Sequence, residues 1–252
     1  MLLCCAVLLT PASGQPPPSV SAAVPVAAPP AFKRPLPADM GQRLLACSAC
    51  HGQQGRATPG GYFPRIAGKP AGYLYQQLLH FQAGRRRYAP MAGLLEHLSD
   101  DYLQDIAQHF SALDLPYAAP LPAAPSPAAL RGQRLVQEGD ASGQIPACVR
   151  CHGAALTGVA PAIPGLLGLS RDYLSAQLGA WQTGQRQALA PDCMAHIAQR
   201  LTAPDIQAIA LWLAQQPLPA LAQPVQALPA ALPMPCGSVP DLPAVPGAVG
   251  AP

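Results

Sequence analysis

The stretch GQRLLACSACHG, Gly41 to Gly52, sets two cysteines and a histidine within five positions: Cys47, Cys50 and His51. Its opening tetrad returns as GQRL at Gly132, and after an insertion of roughly ten residues ACVRCHG, Ala147 to Gly153, supplies Cys148, Cys151 and His152. The likeness runs on outward from the two clusters. GYLYQQLLHFQAGRR from Gly72 matches DYLSAQLGAWQTGQR from Asp172, pairing Tyr73 with Tyr173, Gln77 with Gln177, Phe81 with Trp181 and Gly84 with Gly184. Pro90-Met91 matches the PDCM of Pro191 to Met194, and LSDDYLQDIAQHF from Leu98 matches LTAPDIQAIALWL from Leu201. Parts in the same order twice over mean a tandem duplication of one small domain.

Composition sets the boundaries of the copies. Proline and alanine dominate residues 16–37, 116–127 and 217–252. Such sequence offers no periodic apolar face, so these stretches read as a leader, a linker and a disordered tail. Two bodies remain, residues 38–115 and 128–216. The first 15 residues, MLLCCAVLLTPASGQ, carry an apolar run followed by small residues and read as a cleaved export signal, too short to cross a bilayer.

Each body reads as helical. Asp39 is placed to cap a first helix running into the cysteine motif. A second helix starts near Pro70 and stops at Gly84, and its counterpart runs from Ser170 to Gly184. The last helix starts at Ser99 and turns Leu103, Ile106, Ala107 and Phe110 to one side. Its counterpart is capped by Thr202, with Asp205 three positions on, and carries Ile206, Ile209, Ala210 and Leu213. Period-two alternation is missing, so no substantial sheet is expected.

The CxxCH pattern suits covalent haem attachment: two cysteines on one short helical turn form thioethers, and the next residue sets an imidazole beneath the iron. Zinc would need four ligands, and each half offers one cysteine pair and one histidine. A thioredoxin-like redox pair wants a strand before it and a mixed fold. A domain of about eighty residues also buries too little apolar surface to be secure alone, and a haem would fill its core. For the sixth iron position, Met91 and Met194 occupy matching loops, each after a proline and before the last helix. Sulfur there would favour the reduced iron. His80, His97, His109 and His196 have no counterparts across the repeat and read as surface or packing residues.

Taken together, the tandem CxxCH motifs, the proline after each, the tyrosine-bearing helix, the loop methionine and the closing helix resemble the class I c-type cytochromes, specifically the di-haem cytochrome c4 type. The resemblance covers about Gly41 to Phe110 and Gly132 to Ala214. It implies an all-α fold of two tandem cytochrome c-like domains, each wrapped around one covalently bound haem c and packed about a pseudo-twofold axis with haem edges close together. It also implies that the carbonyls of Pro64 and Pro164 orient His51 and His152. The function implied is that of a periplasmic carrier of single electrons, without turnover of its own. Its donor would be a quinol-oxidising complex or dehydrogenase, its acceptor a terminal oxidase. The alternative is a haem-containing subunit of a dehydrogenase or a small di-haem peroxidase, which would need an open iron or a dedicated partner enzyme.

Other features are weaker. A net charge of +3 over 252 residues argues against nucleic acid as the main partner. No later segment is apolar and long enough for stable membrane insertion. Arg85, Arg86 and Arg87 read either as a docking patch for an acidic partner or as a solvated surface. Of the eight cysteines, Cys193 and Cys236 either join as a disulfide or stand as one buried and one exposed thiol.

Overall fold

The computed structural model describes residues 35–122, 124–219 and 222–239. The export signal, the leader up to residue 34 and the tail from residue 240 lie outside the described residues. In the first half, α1 (Met40–Arg43) and α2 (Leu45–His51) lead into the first cysteine motif, followed by α3 (Ala71–Gln82), α4 (Ala89–Leu95) and α5 (Asp100–Ser111). In the second, α6 (Pro127–Gln137) and α7 (Val149–His152) precede α8 (Arg171–Gln182), α9 (Cys193–Ala198) and α10 (Ala203–Ala214). The only sheet among the described residues is an antiparallel pair, β1 (Gly158–Val159) with β2 (Ile163–Pro164), in which Gly158 faces Pro164. The mostly helical expectation holds.

Helix starts follow local chemistry. The hydroxyls of Ser99, Ser126 and Ser170 accept the amides of Tyr102, Ala129 and Tyr173. At α10 a capping box forms, Thr202 and Asp205 each accepting from the other's backbone, with Pro204 in the first turn. Asp39 behaves differently from expectation. It accepts from Arg43 Nε at 2.9 Å instead of capping, and the helix it opens breaks at Leu44 into α1 and α2. The methionines also depart from the expected loops: Met91 and Met194 stand in the first turns of α4 and α9.

Each half has its own core. Leu103, Ile106, Ala107 and Phe110 of α5 are buried with Met40, Leu44, Leu74 and Phe81. Ile206, Ile209, Ala210 and Leu213 of α10 are buried with Leu135, Val136 and Leu174. Each fully buried large aliphatic side chain contributes ~2 kcal/mol against exposure. Helices α6 and α10 approach so closely that a Cβ on Gly132 would run into the Ala208 carbonyl, whereas a Cβ on the matching Gly41 would meet nothing within 4 Å.

The halves meet in a reciprocal hydrogen-bond cluster. Arg86 Nη2 donates to Tyr173 Oη at 2.9 Å and to Gln177 Oε1 at 2.8 Å; Arg186 Nη2 donates to Tyr73 Oη at 3.2 Å and to Gln77 Oε1 at 2.9 Å. Each guanidinium also donates to the glutamine of its own half. The Arg87 amide donates to Gln185 O and the Gln187 amide to Arg85 O, so the backbones pair as well. Arg86 lies over Phe81 and Arg186 over Trp181. The middle member of the Arg85–Arg87 run is therefore an internal fastener, and the docking-patch expectation fails for it.

Linker and tail are more ordered than their composition suggests. Arg65 donates to the carbonyls of Leu115 and Pro116 and lies 3.7 Å from the Tyr117 ring centroid, and the Leu121 amide donates to Ala214 O. Within the tail, residues 222–239 lie on the second half, with Leu228 buried against Val159 and Ile163. The expected disorder of that stretch is overturned by a disulfide, Cys193–Cys236, and by backbone hydrogen bonds that proline and alanine content does not reveal.

Candidate metal centres

Helix α2 carries Cys47, Cys50 and His51, the histidine closing its last turn; α7 holds Cys151 and His152 at its end with Cys148 as its N-cap. The four thiols are unpaired. Burial pushes the Cys47 and Cys151 thiols up, and burial followed by the neighbouring Cys151 pushes Cys148 to about 12. Among the described residues no three His, Cys, Asp or Glu side chains converge as a site for a lone metal ion.

Each histidine is buried and fixed by one carbonyl. His51 Nδ1 lies 2.9 Å from Pro64 O, and His152 Nδ1 lies 2.7 Å from Pro164 O. A carbonyl can only accept, so Nδ1 carries the proton and the lone pair is left on Nε2. Burial pulls both imidazoles below their ordinary value, with the proline carbonyls acting in the opposite sense. A neutral ring with its proton on the held nitrogen is the form that binds a metal. The Pro164 carbonyl is set by the β1–β2 pair.

Across the chain, Cys47 and Met91 pack against the same first-half core, and Cys148 packs against that of the second half with Ile197 of α9. Gln82 Nε2 donates to Leu95 O and Leu98 O at the end of α4, and Gln182 Nε2 donates to Ala198 O and Leu201 O at the end of α9. This matched pair anchors both methionine-bearing helices. It was missed from sequence, although Gln82 and Gln182 stand at identical places in the repeat.

A porphyrin fits these surroundings. His80 Nε2, Arg85 Nε, Ser175 Oγ and Trp181 Nε1 are buried with no hydrogen-bond partner. Buried polar atoms without partners are costly, and the N–H groups of Arg85 and Trp181 and the hydroxyl of Ser175 are donors of the kind that haem carboxylates would accept from. His80 is buried, His109 half-buried against Phe110, and His97 and His196 are exposed. Lys69, another residue without a sequence signal, is buried and donates across the interface to Gly165 O at 2.9 Å, one residue past Pro164. Burial, then Arg65, pulls its ammonium down to about 7.

No protein-family profile matches the chain. It is 41% identical over 173 residues to a thiosulfate dehydrogenase electron acceptor of Thiomonas intermedia, covering 69% of this chain and 79% of that one. It is 34% identical over 175 residues to a cytochrome c4 of Pseudomonas aeruginosa, covering 68% of this chain and 84% of that one. The crystal structure of reduced recombinant cytochrome c4 from Pseudomonas stutzeri superposes with a TM-score of 0.60 at 30% identity, over 72% of this chain and 99% of that one.

Proposed function

The chain belongs to the cytochrome c4 family of di-haem class I c-type cytochromes, and on that premise we propose that it takes electrons from a thiosulfate dehydrogenase in the periplasm and passes them to a terminal oxidase. It is an electron carrier with two haem c groups and not an enzyme in its own right. The choice of donor is carried by one observation, the 41% identity to a thiosulfate dehydrogenase electron acceptor over most of its length. That choice narrows the expected donors, a quinol-oxidising complex or a dehydrogenase, to the second. The Cys193–Cys236 disulfide supports an oxidising compartment, and no helix among the described residues is long and apolar enough to cross a membrane.

When bound, each haem supplies a one-electron iron couple. Cys47 with Cys50, and Cys148 with Cys151, are assigned to its thioethers. His51 and His152 offer Nε2 while Pro64 and Pro164 hold the ring proton at Nδ1, which fixes ring orientation in both oxidation states. Met91 and Met194 are assigned as the sulfur donors to the same irons; bound there, they would raise the potential and leave no open place for substrate.

The test mixes the oxidised holoprotein with a thiosulfate dehydrogenase and follows haem reduction in a stopped-flow spectrometer. Reduction that requires both enzyme and thiosulfate is expected. Reduction no faster with the enzyme than with thiosulfate alone would remove this donor and leave the electron-carrier role standing.

A further inference from the structure

Among the described residues, the second half carries a feature that the first lacks. Residues 222–239 run over it and are fastened at both ends. At one end, the Val225 amide donates to Gly158 O at 3.0 Å and the Ala160 amide donates to Val225 O at 2.8 Å, adding the segment beside β1. Strand β1 pairs with β2, whose Pro164 carbonyl takes the Nδ1 proton of His152. In the middle, Leu228 is 3% exposed, packed on Val159 and Ile163. At the other end, Cys236 is joined to Cys193, the residue before Met194. The same end is held by two hydrogen bonds and by close backbone packing. The Gly237 amide donates to Pro191 O at 2.9 Å, Ser238 Oγ accepts the Leu189 amide at 3.0 Å, and a Cβ on Gly237 would strike the Ala190 carbonyl.

We propose that residues 222–239 are a clasp that ties together the two backbone segments bearing the axial ligands of the second haem, and that it governs how readily the Met194 position opens to an outside ligand. This rests on the assignment of His152 and Met194 as those ligands. Release of a methionine from its metal is eased when its segment moves, and a covalent link plus two hydrogen bonds at residues 189–193 raise the free energy of that local opening. The corresponding segment of the first half, Tyr88 to Met91, has no such cover among the described residues, and its position opens independently of the clasp. Sequence separation explains why the link is effective: it closes a loop of 43 residues, which a free tail would close only at a cost in chain entropy.

The experiment uses the oxidised holoprotein with imidazole as the probe, following loss of the far-red absorption band of methionine-ligated ferric haem. The wild-type spectrum comes first: a band amplitude corresponding to fewer than two such haems defeats the ligand assignment itself. With two present, Cys236→Ser is expected to speed imidazole entry about tenfold in one kinetic phase and to leave the other unchanged. Val225→Pro, which deletes the donor to Gly158 at the opposite end, is expected to accelerate the same phase without touching the disulfide. Unchanged rates in both variants overturn the clasp, as does equal acceleration of both phases, which would mean general loosening.

Discussion

His80 on α3 is 2% exposed, and its Nε2 has no hydrogen-bond partner. Burial, reinforced by Arg85, Arg186 and Arg86, pulls the ring from its ordinary 6.5 down to about 4. The sign follows from proton uptake. Above the ordinary value both folded and unfolded chains hold a neutral ring, and between there and about 4 the unfolded chain binds a proton that the folded one refuses. Stability should therefore fall as pH drops through that window and level off below it. In denaturant titrations of the holoprotein, His80→Leu should remove this slope, and an equal slope in the variant would show that other groups cause it. The methionines have a different signature. Met91→Ala and Met194→Ala should each abolish half of the far-red band and lower one midpoint potential while leaving the other centre in place. Retention of the whole band in either variant would eliminate that residue as a ligand. At this scale the cysteines and histidines assigned to the haems stood out because CxxCH is a local pattern. Lys69 was not: its place in the repeat is taken by Leu169, and only the tertiary fold brings it to Gly165.

Helices α6 and α10 cross where Gly132 allows backbone contact, and the duplicated α1 uses the same glycine in open space. Gly132→Val should cost ~2 kcal/mol or more, since neither the Ala208 carbonyl nor the Trp212 side chain has room to yield. Gly41→Ala should be neutral or raise stability by about 0.5–1 kcal/mol, because an exposed helical glycine gains from a Cβ. Thermal unfolding of the two variants would check the contrast, and equal losses would refute it. Helix positions were readable from sequence wherever a cap preceded an apolar period, as at Ser99, Ser170 and Thr202. The break at Leu44 was not, because Asp39 had two uses, an amide of its own helix or Arg43, and sequence alone does not rank them. The helical seats of Met91 and Met194 were hidden for a related reason: α4 and α9 are short and draw support from Gln82 and Gln182, contacts that no local propensity encodes.

For the whole molecule, Arg86 and Arg186 make the two halves one cooperative body. Removing either takes the guanidinium donor from one tyrosine oxygen and one of two donors from each glutamine oxygen, a loss of ~2 kcal/mol at the interface. Arg186→Met is expected to split a single calorimetric unfolding transition into two, with both haems still attached; one transition at an unchanged temperature would show that the cluster does not hold the halves together. The duplication itself was plain in the sequence, and so were the core faces of α5 and α10. The fastener was misread, because three consecutive arginines look solvated when nothing indicates that Tyr73, Tyr173, Gln77 and Gln177 converge on the middle one. Tail order was half legible: the Cys193–Cys236 bridge was one of two alternatives for those cysteines, whereas the backbone hydrogen bonds of Val225 and Gly237 leave no mark on composition.

The exchange of acceptors between Arg86 and Arg186 also bears on descent. Division at the linker would leave each guanidinium the glutamine of its own half and take away the tyrosine and glutamine of the other, so the present sharing of donors presupposes the doubled chain.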